Sequence, residues 1–186
     1  LRRGEGTDTN RLDAYPFEAR NEGLLSAPGG NVTLAGYLAT NAAGAVISAT
    51  TASNRPGSIT IQARDFGGLA AASTTGSSTT AQGFRFGEAT LGQGSLLSVT
   101  AETGADQVVF NTATAAFEQS RLYLIGAAVR FQADAVVRAP AGGIRIAGDL
   151  PERVYPSNAT SGGRLQTLLM EAGSVIDVGG LKDLTA

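Results

Sequence analysis

Short segments with an apolar residue at every second position recur along the chain, and most of them follow a glycine. They cover residues 30–35, 57–63, 94–101, 129–133, 143–147 and 173–179. Side chains of a β-strand point alternately to its two faces, so this period predicts strands that bury one face. The predicted inward residues are Val32, Leu34, Ile59, Ile61, Ile144 and Ile146, and the predicted outward residues are Thr33, Thr60 and Arg145.

Many short strands separated by turns occur in sandwiches, in barrels and in solenoids, and the spacing here favours a solenoid. Gly57 and Gly94 are 37 positions apart, which fits two steps that are each close to the roughly 20-residue rung of a β-helix. Antiparallel hairpins favour Asn-Gly or Asp-Gly turns, and the sequence contains neither dipeptide. We therefore expect an all-β fold, a right-handed parallel β-helix with loop excursions between its rungs.

The pattern predicts a single β-helix segment over residues 1–186 that belongs to a longer protein. Three stretches lack a clear period, and we expect loop excursions at 1–28, 65–93 and 149–163. The stretch 65–93 is rich in Gly, Ala, Ser and Thr, so a disordered linker is the alternative there. Pro151, Pro156 and a glycine pair mark the third stretch.

Composition narrows the function classes. The chain has no cysteine and no histidine, which excludes thiol redox chemistry, zinc held by Cys or His, and histidine acid–base catalysis in this segment. Lys182 is the one lysine, and the arginines form no basic stripe of the kind that neutralises phosphates, so we expect no nucleic-acid partner. Aromatic residues make up 6%, and abundant small and β-branched residues suit narrow stacked strands.

The acidic residues are dispersed, which argues against an enzyme. Asp106, Asp134, Asp149 and Asp177 are the aspartates that fit neighbouring rungs, whereas polysaccharide lyases built on β-helices gather several acidic Ca²⁺ ligands on one face. We expect no catalytic residue, no metal and no cofactor. Asp177 has two interpretations, a ligand contact or a carboxylate that caps the turn at Gly179 or faces solvent.

Outward polar residues are the remaining candidates for binding. Arg130, Arg138 and Arg145 fall at outward positions of successive strands, and they form either a ladder for an anionic glycan or partner surface, or a solvated face. Outward polar ladders with a structural role are predicted at Thr33, Thr60 and Thr100. The rings of Tyr37, Tyr123 and Tyr155 suit stacking against sugars, but they are dispersed along the chain, so we do not select them as a binding site.

Several segments resemble rungs of a known group of proteins. Residues 168–181, which read LLMEAGSVIDVGGL, resemble an "EAGSVIDVSGL" type of rung in filamentous-haemagglutinin-like bacterial exoproteins. GGNVTLAG at 29–36 and PGSITI at 56–61 are similar to other rungs of that group, as is the stretch 122–148. The resemblance is scattered over most of the chain.

The resemblance implies a function outside the cell. Members of the group leave by two-partner secretion through an outer-membrane partner, and they act as adhesins, as biofilm or filament components, or as stalks of contact-dependent toxins. It implies a structural shaft of a secreted or surface-exposed fibre, with self-association into filaments and a ligand on a host or neighbouring cell. The expected partners at both ends of the segment are continuations of the same chain. A lyase-like enzyme and a toxin-delivery stalk are the alternatives.

Overall fold

The computed structural model describes residues 18–51, 56–64, 66–67, 84–85, 87–101, 120–148 and 167–179, and these contain sixteen β-strands and no helix. In chain order the strands are β1 (Glu18–Asn21), β2 (Leu24–Ala27), β3 (Asn31–Gly36), β4 (Leu38–Asn41), β5 (Val46–Thr51), β6 (Ser58–Ala63), β7 (Phe66–Gly67), β8 (Phe84–Arg85), β9 (Glu88–Leu91), β10 (Leu96–Ala101), β11 (Arg121–Ile125), β12 (Ala128–Phe131), β13 (Val136–Arg138), β14 (Gly143–Ala147), β15 (Thr167–Met170) and β16 (Val175–Asp177).

Fourteen of these strands form three sheets in which every pairing is parallel. Sheet A has the order β1-β4-β9-β12-β15, sheet B the order β2-β5-β10-β13-β16, and sheet C the order β3-β6-β11-β14. The chain passes from sheet A to sheet B to sheet C and then returns to sheet A, and we call one such pass a circuit. Each of these fourteen strands therefore pairs with the strand one circuit away and not with the strand that precedes or follows it in sequence. The predicted all-β, parallel-stranded structure is confirmed.

The three sheets enclose one hydrophobic core, and the predicted alternation holds. Ile59 and Ile61 are fully buried, and the predicted inward residues of β3 and β14 pack against the same core. Columns of inward residues run along the stack. In sheet B, for example, Ile47, Leu97 and Val137 are in register and fully buried.

The corner between sheets A and B is the most regular feature of the stack. Gly44, Gly94, Asp134 and Gly173 occupy equivalent places and all have positive φ, between 60° and 77°. The backbone N–H groups of Gly44 and Gly94 each donate to a carbonyl in the corner of the next circuit, at 2.9 Å, so successive corners also bond to one another. Glycine accepts this conformation at little cost, and aspartate is among the side chains that tolerate it best.

The spacing from Gly57 to Gly94, which favoured a solenoid, joins two positions that are not equivalent. Gly57 precedes β6 of sheet C, whereas Gly94 precedes β10 of sheet B. The length of an uninterrupted circuit is given by Asn21 and Asn41, which are register partners 20 residues apart. The expected rung of roughly 20 residues is therefore right. The distance between Gly57 and Gly94 does not measure it, because the two glycines precede strands of different sheets.

Two of the predicted loop excursions are shorter than expected. Within 1–28, the strands β1 and β2 take their places in sheets A and B. Within 65–93, β7 and β8 form a short antiparallel pair outside the stack, and β9 is a full member of sheet A. The sequence of these strands alternates weakly, and their pairing with the next circuit fixes them. The stretch 149–163 lies outside the described residues, as do 1–17 and most of 65–86.

The connections with the most residues between successive strands of the stack occur at two corners. One lies between β6 and β9 and another between β14 and β15, where the chain passes from sheet C back to sheet A; a third lies between β10 and β11, where it passes from sheet B to sheet C. In each described circuit the passage from sheet A to sheet B is short and carries no insertion. Long connections therefore adjoin sheet C both where its strands begin and where they end.

Candidate ligand-binding face

The aspartates proposed to stack do not lie together. Asp134 is in the corner before β13, and Asp177 ends β16 on the outer side of sheet B. Asp106 and Asp149 lie outside the described residues. Within the described ranges, no group of three or more His, Cys, Asp or Glu side chains is arranged to hold a metal ion. None of the described residues forms a helix long and apolar enough to cross a membrane.

Asp177 caps a turn and forms an ion pair. Its Oδ1 accepts a hydrogen bond from the backbone N–H of Gly179 at 2.9 Å, and its Oδ2 lies 3.3 Å from Nε of Arg138. The turn-capping interpretation is therefore confirmed. Both groups are partly exposed, so the ion pair with Arg138 contributes at most about 1 kcal/mol.

The predicted arginine ladder does not exist. Arg130, Arg138 and Arg145 belong to β12, β13 and β14, which are successive strands of one circuit and therefore lie in sheets A, B and C. Strands that follow each other in sequence turn a corner, and only strands one circuit apart share a face. Each of these arginines thus points away from a different side of the stack.

Arginines on sheet A are held by carboxylates. Arg130 Nε lies 2.9 Å from Oε1 of Glu88 one circuit below. Arg20 Nε donates to Glu22 at 2.7 Å and its NH1 group donates to Glu18 at 3.4 Å. These hydrogen bonds raise the pKa of the Arg20 guanidinium, with Glu22 as the larger cause and Glu18 as the smaller. The positive charges of Arg20 and Arg130 are therefore compensated by carboxylates of the same chain.

The outer side of sheet C, which we call face C, differs in charge. Its outward residues in register are Asn31, Ser58, Arg121 and Gly143 in one column, Thr33, Thr60, Tyr123 and Arg145 in the next, and Ala35, Gln62, Ile125 and Ala147 in a third. Thr33 and Thr60 form part of the predicted hydroxyl ladder, whereas Thr100 is on sheet B opposite Thr50. Tyr123 shares this face, Tyr37 lies in the corner before β4, and Tyr155 is outside the described residues.

Sequence reasoning did not select Arg121. Its strand follows the insertion between β10 and β11, so its distance in sequence from any other rung gives no clue to its register. In the structure Arg121 is opposite Gly143 and two positions before Tyr123, which is the register partner of Arg145. The signal that was available is the apolar alternation of Leu122 and Leu124, which sets Arg121 outward once the strand is recognised.

Sheet B has an outward column that is entirely apolar. It contains Leu24, Val46, Leu96, Val136 and Val175, in register over five circuits. The adjacent column begins with Ser26, Ser48 and Ser98, and the hydroxyl of Ser48 donates to Ser26 at 3.2 Å. This side of the first three circuits therefore carries apolar and hydroxyl groups without charge.

Polar side chains inside the stack serve its corners. Asn21 and Asn41 are buried in one column, and Nδ2 of Asn21 donates to Oδ1 of Asn41 at 2.8 Å while Nδ2 of Asn41 donates to the Ala45 carbonyl at 3.0 Å. The hydroxyls of Thr51 and Ser120 are 2.6 Å apart in the core. These bonds satisfy buried groups and have a structural role.

Comparison with protein-family models, with curated proteins and with solved structures finds no significant match for this chain.

Proposed function

We propose that this chain is a segment of a right-handed parallel β-helix that forms the structural shaft of a secreted or surface-exposed bacterial fibre, with a role in adhesion, biofilm or filament formation. The observation that carries the proposal is the repetition of one circuit through sheets A, B and C around a single core. Crossover connections between parallel strands of one sheet are almost always right-handed, which supports the hand.

A stack of this kind suits a fibre because its interactions are mostly between neighbouring circuits. Each internal strand bonds to the circuit above and to the circuit below, so the stability grows with every circuit that is added. Such a chain folds progressively from one end, without disulfides. The resemblance to filamentous-haemagglutinin-like exoproteins supports secretion through an outer-membrane partner and a ligand on a host or neighbouring cell.

Both ends of the stack support continuation of the same chain. Leu168 and Met170 are in register with the buried Val129 and Phe131, yet they are 49% and 40% exposed. At the other end the inward Leu25 is 38% exposed. Strands β1 and β15 are the edge strands of sheet A among the described residues, and an edge strand favours pairing with a further strand. A further circuit at each end would bury these apolar side chains and pair these edges.

Lateral association of shafts is proposed on the apolar column of sheet B, with a second copy of the chain as occupant. Two stacks share the same spacing of about 4.8 Å between circuits, so their Leu and Val side chains interdigitate at every circuit. A partner of another architecture would match this spacing at one or two circuits only. Stable protein pairs typically bury roughly 800 Å² per partner, so the association is expected to strengthen as circuits are added to the shaft.

The shaft is tested in cells that produce the parent protein. Gold-labelled antibodies against the 186-residue segment are applied to intact cells, and cells with the gene deleted are the control. We expect label along extracellular fibres, and loss of the fibres and of surface attachment in the deletion strain. Label confined to the cytoplasm, or unchanged surface structures and attachment after deletion, would contradict the proposal.

The same material separates the alternatives. Incubation of the protein with a carboxylated polysaccharide, with and without a Ca²⁺ chelator, is expected to leave the polymer length unchanged, whereas chelator-sensitive shortening indicates the lyase-like enzyme. A toxin-delivery stalk predicts growth inhibition of neighbouring cells that depends on the parent gene. Either result would overturn the assignment as a shaft that acts through adhesion or filament formation.

A further inference from the structure

Charge is segregated between the sides of the stack. The described carboxylates lie on sheets A and B or at the corner between them, and they are Glu18, Glu22, Glu88, Asp134, Glu171 and Asp177. Within the described part of the chain, face C has no acidic residue. The arginines divide in the same way: Arg20, Arg130 and Arg138 each contact a carboxylate on sheet A or B.

Of the other described arginines, Arg85 is in β8 outside the stack, and the remaining three are on sheet C or at its edge. Arg121 and Arg145 are exposed on β11 and β14, and no described carboxylate lies within ion-pair distance of either. Arg64 follows β6 at the edge of the same face, where its NH2 group donates to Gln62 at 3.4 Å. Among the described residues, face C therefore has positive charge that no carboxylate compensates, on a chain whose formal net charge is −2.

Arg121, Tyr123 and Arg145 form a compact group. Arg145 is the register partner of Tyr123, and Arg121 is two positions before Tyr123 on the same strand. From the spacing within and between strands, the Cα atoms of the two arginines are about 8 Å apart along a diagonal. Tyr123 has the smaller Thr60 on its other side, so the aromatic ring stands above its neighbour.

We propose that face C binds a linear anionic polysaccharide, with carboxylate or sulfate groups on Arg121 and Arg145 and a sugar ring against Tyr123. Guanidinium groups bind carboxylate and sulfate oxygens through two parallel hydrogen bonds, and a tyrosine ring offers an apolar surface for the C–H face of a sugar. A nucleic acid would gain few phosphate contacts from so few arginines. The inference rests on the proposed function, because it assigns the adhesive contact to one side of the shaft.

The test uses the complete 186-residue chain and four probes: oligogalacturonate, dextran sulfate, neutral dextran of equal length and a single-stranded DNA oligonucleotide. Binding is measured by calorimetry at two salt concentrations. We expect binding of at least one anionic glycan, no binding of neutral dextran, and binding of the oligonucleotide at least tenfold weaker. The double variant Arg121→Gln/Arg145→Gln is expected to weaken glycan binding by at least about tenfold, because two charge-assisted contacts are lost.

The matched control removes the same charge from the other sides. The variant Arg130→Gln/Arg138→Gln has the same net charge as the first double variant, and we expect a change below about twofold. Tyr123→Thr is expected to weaken binding while leaving its salt dependence unchanged, because it removes a ring and no charge. Circular dichroism checks that every variant keeps the β-sheet signal of the parent.

The proposal is overturned if no anionic glycan binds, if the control double variant loses as much affinity as the face C variant, or if the oligonucleotide binds as tightly as the glycans. These outcomes are distinguishable from failure of the proposed shaft. Fibres that persist and are labelled on cells, but do not bind glycans, refute the assignment of face C alone. Specific glycan binding by a protein that forms no extracellular fibre refutes the shaft alone.

Discussion

The cost of removing a core side chain is expected to depend on its height in the stack. Leu25 and Leu97 are both leucines in the inward column of sheet B, and each is in register with Ile47. Leu97 is fully buried, with Val137 on its other side, whereas Leu25 is 38% exposed and belongs to the edge strand β2. The two residues differ in position alone, so each serves as the control for the other.

Replacement of Leu97 by alanine removes a side chain that has neighbours above and below, and the surrounding sheets have little freedom to close the cavity. Buried leucine-to-alanine substitutions cost about 2–5 kcal/mol, and we expect about 3 kcal/mol here. Leu25→Ala removes a side chain that is already partly in water and has one neighbouring circuit. Its expected cost is about 1 kcal/mol.

The measurement is urea unfolding followed by far-UV circular dichroism and tyrosine fluorescence, since the chain has four tyrosines and no tryptophan. With a denaturant slope of about 2 kcal/mol per M, Leu97→Ala lowers the unfolding midpoint by about 1.5 M and Leu25→Ala by about 0.5 M. Equal shifts for the two variants, or a larger shift for Leu25→Ala, would refute the reasoning that burial increases from the edge of the stack to its middle.

Five further substitutions, at four positions, test the corners and the buried polar groups by the same urea measurement. Gly94→Ala is expected to cost about 1–2 kcal/mol through the positive φ alone, because a Cβ at this position meets open space. Gly94→Asn is expected to cost less, because Asp134 adopts the same positive φ at the equivalent corner, and equal costs for the two variants would contradict this. Ser95→Ala is expected to be neutral or stabilising, since the buried hydroxyl of Ser95 has no hydrogen-bond partner, whereas Ser120→Ala is expected to cost about 1 kcal/mol because it breaks the bond to Thr51. A larger cost for Ser95→Ala than for Ser120→Ala would contradict this reasoning. Asn41→Leu is expected to cost about 1–3 kcal/mol although leucine fits the column, because the Ala45 carbonyl and the amide of Asn21 each lose a partner, and an unchanged midpoint would count against that.

Face C shows where reasoning from sequence reached its limit. Alternation correctly set Arg145 outward, because the period of a strand is a local property. It gave no means to group Arg145 with Arg121 rather than with Arg130 and Arg138, because the face that a strand occupies depends on how many corners precede it. The insertion before β11 hides that number in the sequence.

The sequence by itself determined that the fold is all-β and which residues of strands such as β6 point inward. Apolar side chains at period two can be buried on one face only as strands, and this requires no knowledge of neighbouring circuits. The strands β1, β2 and β9 were decided by tertiary structure, since their weak alternation is compensated by pairing with the adjacent circuit. The same pairing determined which charges meet: Arg130 and Arg138 find carboxylates one circuit away, and Arg121 and Arg145 find none among the described residues. Register across circuits is a long-range property, and it distributes the charge of this chain between its three sides.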